Sequence, residues 1–321
     1  MGIYFSSFLF GIAGAWLLSR YASIAGLIDH PSERSSHSKP TPKGGGICLL
    51  ATFGLVAVLY SLPWEWGFAI GILSTVSLIG DRINLSAVFR LGVQLMASAV
   101  VASEFYRIPS NLSDLLLFIF FLLFITGTAN FYNFMDGING IAGLNGCVVF
   151  LMLGIYGVVT EQEPSLIVLC FAIAATCVGF LPFNMPRALV FMGDVGSVML
   201  GFIFALLVVS FSSSISTFLL LCSFLFLFYL DELTSMVERL RKKQSLFKPH
   251  RQHLYQVLVN EVGIPHWKVS TLYVLAQMII TGSCWLAFSQ NEVLFYFILL
   301  VFGVVFLMVN YQVKKHHTSI Y

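Results

Sequence analysis

The chain has 321 residues, of which 58% are hydrophobic and only 10% charged, whereas an ordinary soluble domain carries about 25% charged residues. That shortage of charge excludes a soluble globular enzyme and a disordered scaffold. A formal net charge of +2 excludes a nucleic-acid binder, which needs a large basic surface. What remains is a membrane protein of many spans.

A spanning helix needs about 20 mostly apolar residues. Eleven runs qualify, near 3–22, 46–63, 67–80, 91–104, 114–131, 138–159, 165–182, 195–211, 216–232, 269–289 and 292–310. The shortest of them must extend into the flanking loops to cross. The expected fold is all-α: a polytopic membrane helix bundle of about eleven transmembrane helices, with ten as the alternative count, in one integral-membrane domain over residues 1–321. The first run lacks a positively charged leader and a small-residue cleavage site, so it is read as a retained span. The six cysteines all lie in apolar runs with no CxxC pair, as small buried hydrophobes do.

The connections alternate between two sides. One side holds the segments near 20–45, 81–90, 131–137, 183–194 and 232–268 and the tail from 311, and it carries 16 of the 17 Lys and Arg residues; the other carries only Arg107. The positive-inside rule puts the basic side in the cytoplasm, with the amino terminus periplasmic and the carboxyl terminus cytoplasmic. No ionisable residue falls near the middle of a run and no broken helix is expected, which argues against an ion-coupled carrier.

The chemistry-bearing residues collect in the inner loops. The first ends Lys43-Gly-Gly45-Gly46, where glycines let a backbone approach a ligand and free N–H groups face an anion beside Lys43; the plainer reading is a flexible turn. The second holds Asp81, which could be a helix cap or a reactive carboxylate, and Arg90. The third spaces Asn130, Asn133, Asp136 and Asn139 three residues apart, near one face of a helix or turn. Hard oxygen donors among glycines suit Mg²⁺ and phosphate, and they are costly between two spans unless they face a wet cavity. Asn184, at the inner end of the seventh run, joins the candidate substrate-binding residues. The fourth loop, Gly193-Asp194-Val-Gly196-Ser197, puts a carboxylate at a helix start with space cleared around it. The fifth carries Arg239, Arg241, Lys242 and Lys243, which suit lipid head groups, and then His250-Arg251-Gln-His253, whose cations suit phosphates.

These segments resemble the polyprenyl-phosphate N-acetylhexosamine-1-phosphate transferases of glycosyltransferase family 4, in the branch that initiates O-antigen-type glycans. The resemblance rests on Asp29-x-Pro-x-x-Arg34-Ser-x-His37 with the glycine triplet, Asn133-Phe-Met-Asp136-Gly-Ile-Asn139-Gly, Phe191-Met-Gly-Asp194-Val-Gly-Ser197 and His250-Arg-x-His253-Leu-Tyr-Gln. It implies transfer of a sugar-1-phosphate from a UDP-N-acetylhexosamine (or a 6-deoxy relative) to undecaprenyl phosphate, with release of UMP, at the cytoplasmic face of a bacterial inner membrane. It implies Mg²⁺, with Mn²⁺ as the alternative, held by Asn133 and Asp194. It assigns catalytic roles to Asp81, Asp136, Asp194, His250 and His253, and substrate binding to Lys43, Gly45, Arg90, Asn133, Asn139, Asn184 and Arg251. Membrane lipids are partners, nucleic acid is not, and a homodimer is compatible. The family usually has two adjacent aspartates where this chain has Gly80-Asp81. A phosphate monoester has a second pKa of about 6, so the nucleophile is already mostly dianionic at neutral pH and a general base is a minor requirement. A lipid or nucleotide-sugar carrier and a catalytically weakened family member stand as alternatives.

Overall fold

In lipid no water satisfies a backbone N–H or C=O group, so each apolar run closes its hydrogen bonds internally as a helix. The computed structural model describes residues 1–31, 35–83, 85–105, 111–245 and 251–317. Its helices are α1 (Gly2–Tyr21), α2 (Ile47–Tyr60), α3 (Trp64–Arg82), α4 (Ala87–Phe105), α5 (Leu112–Phe134), α6 (Ile141–Val159), α7 (Pro164–Asn184), α8 (Asp194–Phe211), α9 (Ile215–Cys222), α10 (Phe226–Arg241), α11 (Leu254–Asn260), α12 (His266–Gln290) and α13 (Glu292–His317). A 3₁₀ turn, Ser223–Leu225, joins α9 to α10. Among the described residues nine helices are long and apolar enough to cross a membrane, with α9 and α10 counted as one and α2 shorter. The protein is a polytopic helical membrane protein. The short runs lengthen at their ends as expected: that at 67–80 becomes Trp64–Arg82 and that at 91–104 becomes Ala87–Phe105.

The bundle is built around α8. Every residue of α8 except Asp194 and Ser210 is buried, so it has no lipid-facing side. Close crossings depend on missing side chains. A Cβ on Gly11 of α1 would lie 2.2 Å from the Thr176 carbonyl of α7, and one on Gly179 would lie 2.2 Å from the Phe8 carbonyl. On α8, Gly201 seats against the Thr128 carbonyl of α5 in the same way. The first inner loop folds into a two-stranded antiparallel hairpin, β1 (Ile28–Asp29) on β2 (Thr41–Pro42), which brings Asp29 and Lys43 to the same end of the bundle.

One span is interrupted. The run near 216–232 is not a single continuous α-helix: it breaks at Ser223–Leu225 and then continues to Arg241. The break is sealed from α12. Gln277 Oε1 accepts from the Leu227 N–H at 3.0 Å, and its Nε2 donates to the Ser223 carbonyl at 2.8 Å. Phe224 and Leu225 are fully buried there, so the break faces packed protein rather than a pathway. Gln277→Leu strands the Leu227 N–H, while the Ser223 carbonyl keeps the Phe226 N–H. It is expected to cost about 2 kcal/mol, seen as a lower thermal midpoint in detergent. An unchanged midpoint would show that the break finds other partners.

Candidate active site

The polar loops meet. A cavity of about 800 Å³ is lined by Asp29, His37 and Lys43 from the hairpin, Gly80, Asp81, Arg90 and Gln94 from α3 and α4, Asn130, Asn133, Asp136 and Asn139 from the end of α5 and the turn after it, Asn184, Gly193 and Asp194 from the α7–α8 connection, and Glu232, Arg239, His253, Tyr255 and His266 from α10 to α12. All five segments that Lys and Arg counting assigns to one side contribute to it.

Two opposite-charge pairs organise its floor. Asp81 closes α3, and its side chain is only 5% exposed. Its carboxylate faces the start of α8, where the Asp194 and Val195 N–H groups each donate to it at 3.4 Å. Lys43 Nζ lies 3.8 Å away. Asp81 thus faces the first N–H groups of α8 rather than those of its own helix. Gly193 makes this approach feasible: its φ is +75°, and a Cβ there would come within 2.7 Å of Asp81 Oδ2. Asp194, the first residue of α8, accepts from Arg90 Nη1 instead of capping its own helix. Ser197, one turn on, donates to Asn133 Oδ1 at 2.6 Å. Asp136 lies in the turn after α5. Burial first, then the nearby Asp194 and Asp81 carboxylates, pushes its carboxyl well above the usual range.

The third wall is made by α10 and α11. His253 Nε2 lies 3.3 Å from Glu232 Oε2, and both side chains are almost fully buried. Burial, followed by the positive fields of Lys314 and Arg239, pushes the His253 imidazole down to about 3 against the pull of Asp231. Burial thus favours the neutral imidazole over the cation that the sequence suggested.

Other expectations change as well. The Gly45 and Gly46 N–H groups do not face an anion, because they donate to the Phe191 and Met192 carbonyls at 2.9 and 2.8 Å. The triplet is a close crossing instead: a Cβ on Gly46 would sit 2.3 Å from the Gly196 Cα. Asn184 borders the cavity, but its amide is engaged as a brace, accepting from the Gly140 N–H at 2.7 Å and donating to the Val190 carbonyl at 2.9 Å. Asn130 donates to Gln94 Oε1 and to the Thr126 carbonyl. The Asn139 N–H donates to His266 Nδ1 at 3.2 Å. Arg251 is half-buried and outside the cavity lining, and His250 lies outside the described residues. Arg239, grouped by sequence with the lipid-facing basic stretch, is only 4% exposed and lines the cavity. Sequence reasoning gave no role to Asp231, Glu232 or Tyr255; the adjacent Asp-Glu pair closing an apolar run was the available signal.

A divalent cation fits the donor set. Asp81, Asp136 and Asp194 bring mutually repelling carboxylates to one cavity, which Asn133 also lines while its amide oxygen accepts from Ser197. No group of three or more His, Cys, Asp or Glu forms a ready-made metal cluster among the described residues. Mg²⁺ does not need one, because it binds through one or two carboxylates and takes water and substrate phosphate for the rest.

Residues 64–212 match the model of glycosyl transferase family 4, a stretch that contains Asp81, Arg90, Asn133, Asp136 and Asp194. The chain is 28% identical to the decaprenyl-phosphate N-acetylglucosaminephosphotransferase of Mycobacterium leprae, over 85% of this chain and 77% of that protein. It is also 28% identical to the undecaprenyl-phosphate alpha-N-acetylglucosaminyl 1-phosphate transferase of Escherichia coli (strain K12), over 97% of this chain and 90% of that protein. The second alignment extends past the family-model match to take in the α10–α11 wall. With its helical membrane fold and its cavity of facing carboxylates and cations, the chain is similar along most of its length to these polyprenyl-phosphate N-acetylglucosamine phosphotransferases and matches glycosyl transferase family 4 over residues 64–212.

Proposed function

We propose that the protein transfers N-acetylhexosamine-1-phosphate, or a 6-deoxy relative, from a UDP-sugar to undecaprenyl phosphate. An acceptor phosphate oxygen bonds to the sugar-bearing phosphorus of the donor, the bond from that phosphorus to UMP breaks, and UMP leaves. The product is a lipid-linked pyrophosphate sugar, the first intermediate of a cell-surface glycan. Lys and Arg distribution supports a cytoplasmic active face in a bacterial inner membrane, with the amino terminus outside.

The carrying observation is the pairing of Arg90 with Asp194 and of Lys43 with Asp81 in one cavity. The barrier to joining two anionic phosphates is mostly electrostatic, so positioning and charge neutralisation matter more than covalent chemistry. Arg90 forks toward a phosphate and Lys43 adds a point charge. Asp194 and Asn133, with Asp136 beside them, would hold Mg²⁺, which supplies charge neutralisation on the donor pyrophosphate. Neutral His253 is suited to donate or accept a hydrogen bond at the cavity wall. Purified protein in nanodiscs with undecaprenyl phosphate, given a panel of UDP-sugars, should release UMP with one N-acetylhexosamine donor and yield a lipid product of matching mass. Absence of UMP release with every donor overturns the reading, and uptake of labelled nucleotide sugar into sealed vesicles without UMP would favour a carrier.

Gly80 does not stand against activity. A Cβ there meets only Arg90 Cδ and Leu85 Cδ1, both at 3.7 Å, so a side chain fits without backbone movement. Because the acceptor needs little help losing a proton, Gly80→Asp is expected to change turnover by less than about tenfold. A much larger gain would mark this chain as a weakened member.

A further inference from the structure

Asp231, which no part of the proposed mechanism uses, is fully buried on α10, and its carboxylate accepts from donors on other segments. The Leu254 N–H donates to Oδ1 at 2.7 Å, the Tyr255 N–H to Oδ2 at 3.3 Å and the Tyr273 hydroxyl to Oδ2 at 2.7 Å. One carboxylate thus ties the first turn of α11 to α10 and α12. It also lies 3.8 Å from His253 Nδ1, the residue that precedes α11. The tie continues toward the cavity. The Tyr255 hydroxyl donates to the Phe134 carbonyl at 2.9 Å, at the end of α5. It seats directly over Gly137, where a Cβ would lie 2.2 Å from the phenolic oxygen. Phe134 and Gly137 bracket Asp136.

We propose that Asp231 is a positioning residue for transfer: through α11 and the Tyr255–Phe134 hydrogen bond it sets the turn carrying Asp136 against the His253 wall. This rests on the transferase reading. A carboxylate is acceptor-only, whereas an amide has a single acceptor atom and two donors. Asp231→Asn therefore points an N–H₂ group at one of three converging donors, at nearly unchanged volume. Tyr255→Phe keeps the ring and removes only the far link.

The test uses the full chain in nanodiscs. Asp231→Asn and Tyr255→Phe are each expected to lower kcat at least tenfold, with KM for the UDP-sugar changed less than threefold. The double variant should lose no more than the worse single variant, because both act on one linkage; multiplying losses would overturn the proposal. Amide hydrogen exchange supplies a readout independent of turnover. Exchange in Asp231→Asn should rise both at 254–260 and at 135–140, and a rise confined to 254–260 overturns the relay to Asp136. If the wild-type protein transfers no sugar phosphate, the transferase reading fails, while the exchange result still decides whether Asp231 orders the Asp136 turn.

Discussion

Asp194→Asn is expected to reduce Mg²⁺-dependent UMP release by about 10³-fold, the scale on which a single electrostatic contact to a transition state is lost. The substitution keeps the shape of the side chain, and the amide oxygen of the replacement can still accept from Arg90, so the fold should persist. The negative charge is what disappears. It faces Arg90, and in the function proposed above it would hold a divalent cation together with Asn133. The measurement is UMP production from undecaprenyl phosphate and UDP-N-acetylglucosamine across a Mg²⁺ series, beside thermal unfolding of the same preparation. Full activity with an unchanged Mg²⁺ requirement would remove Asp194 from the site.

The second large effect comes from a residue with no functional group. Gly46→Ala places a methyl 2.3 Å from the Gly196 Cα and 2.7 Å from the Gly196 N, both backbone atoms. Ordinary contact needs more than 3.4 Å, so the two segments must part by about 1 Å, a displacement that can cost a site about 10²-fold in rate. The segment pushed away carries Asp194 and the N–H groups that Asp81 caps. Overpacking of this kind also destabilises by about 1–3 kcal/mol. Gly54 inside α2, the helix that Gly46 precedes, is the control: a Cβ there meets nothing within 4 Å, and Gly54→Ala should be neutral or slightly stabilising, as helix propensity favours alanine. If Gly46→Ala matched that control in activity and thermal midpoint, the crossing would not constrain the site.

The contrast between these glycines shows what is legible in a chain of this kind. Apolar runs announce spans because lipid leaves a backbone no alternative to closing its own hydrogen bonds, and inner-loop Lys and Arg sort the connections. Asp81, Asp136 and Asp194 stand out because carboxylates are scarce here. The glycine triplet misleads because availability of its N–H groups depends on the Phe191 and Met192 carbonyls, far away along the chain. The break at Ser223 carries neither glycine nor proline, and the acceptor for its Leu227 N–H comes from Gln277 of α12. Asp231 looks like the frayed end of a span until α11 and α12 dock on it. His253 looks like a cation until burial and Lys314 are counted. In each case the misleading signal is local and the deciding contact is long-range.

The encirclement of α8 divides the chain into spans with opposite freedom to drift. On α13, Leu300 is 65% exposed, and exchanging it for another apolar residue swaps one oily contact for a lipid tail. On α8, Leu206 is fully enclosed, and the same exchange opens a void or a clash against neighbouring helices. Two segments of comparable greasiness therefore age differently over generations: one is upholstery, replaceable at will, and the other is an axle whose diameter every neighbour has been machined to fit.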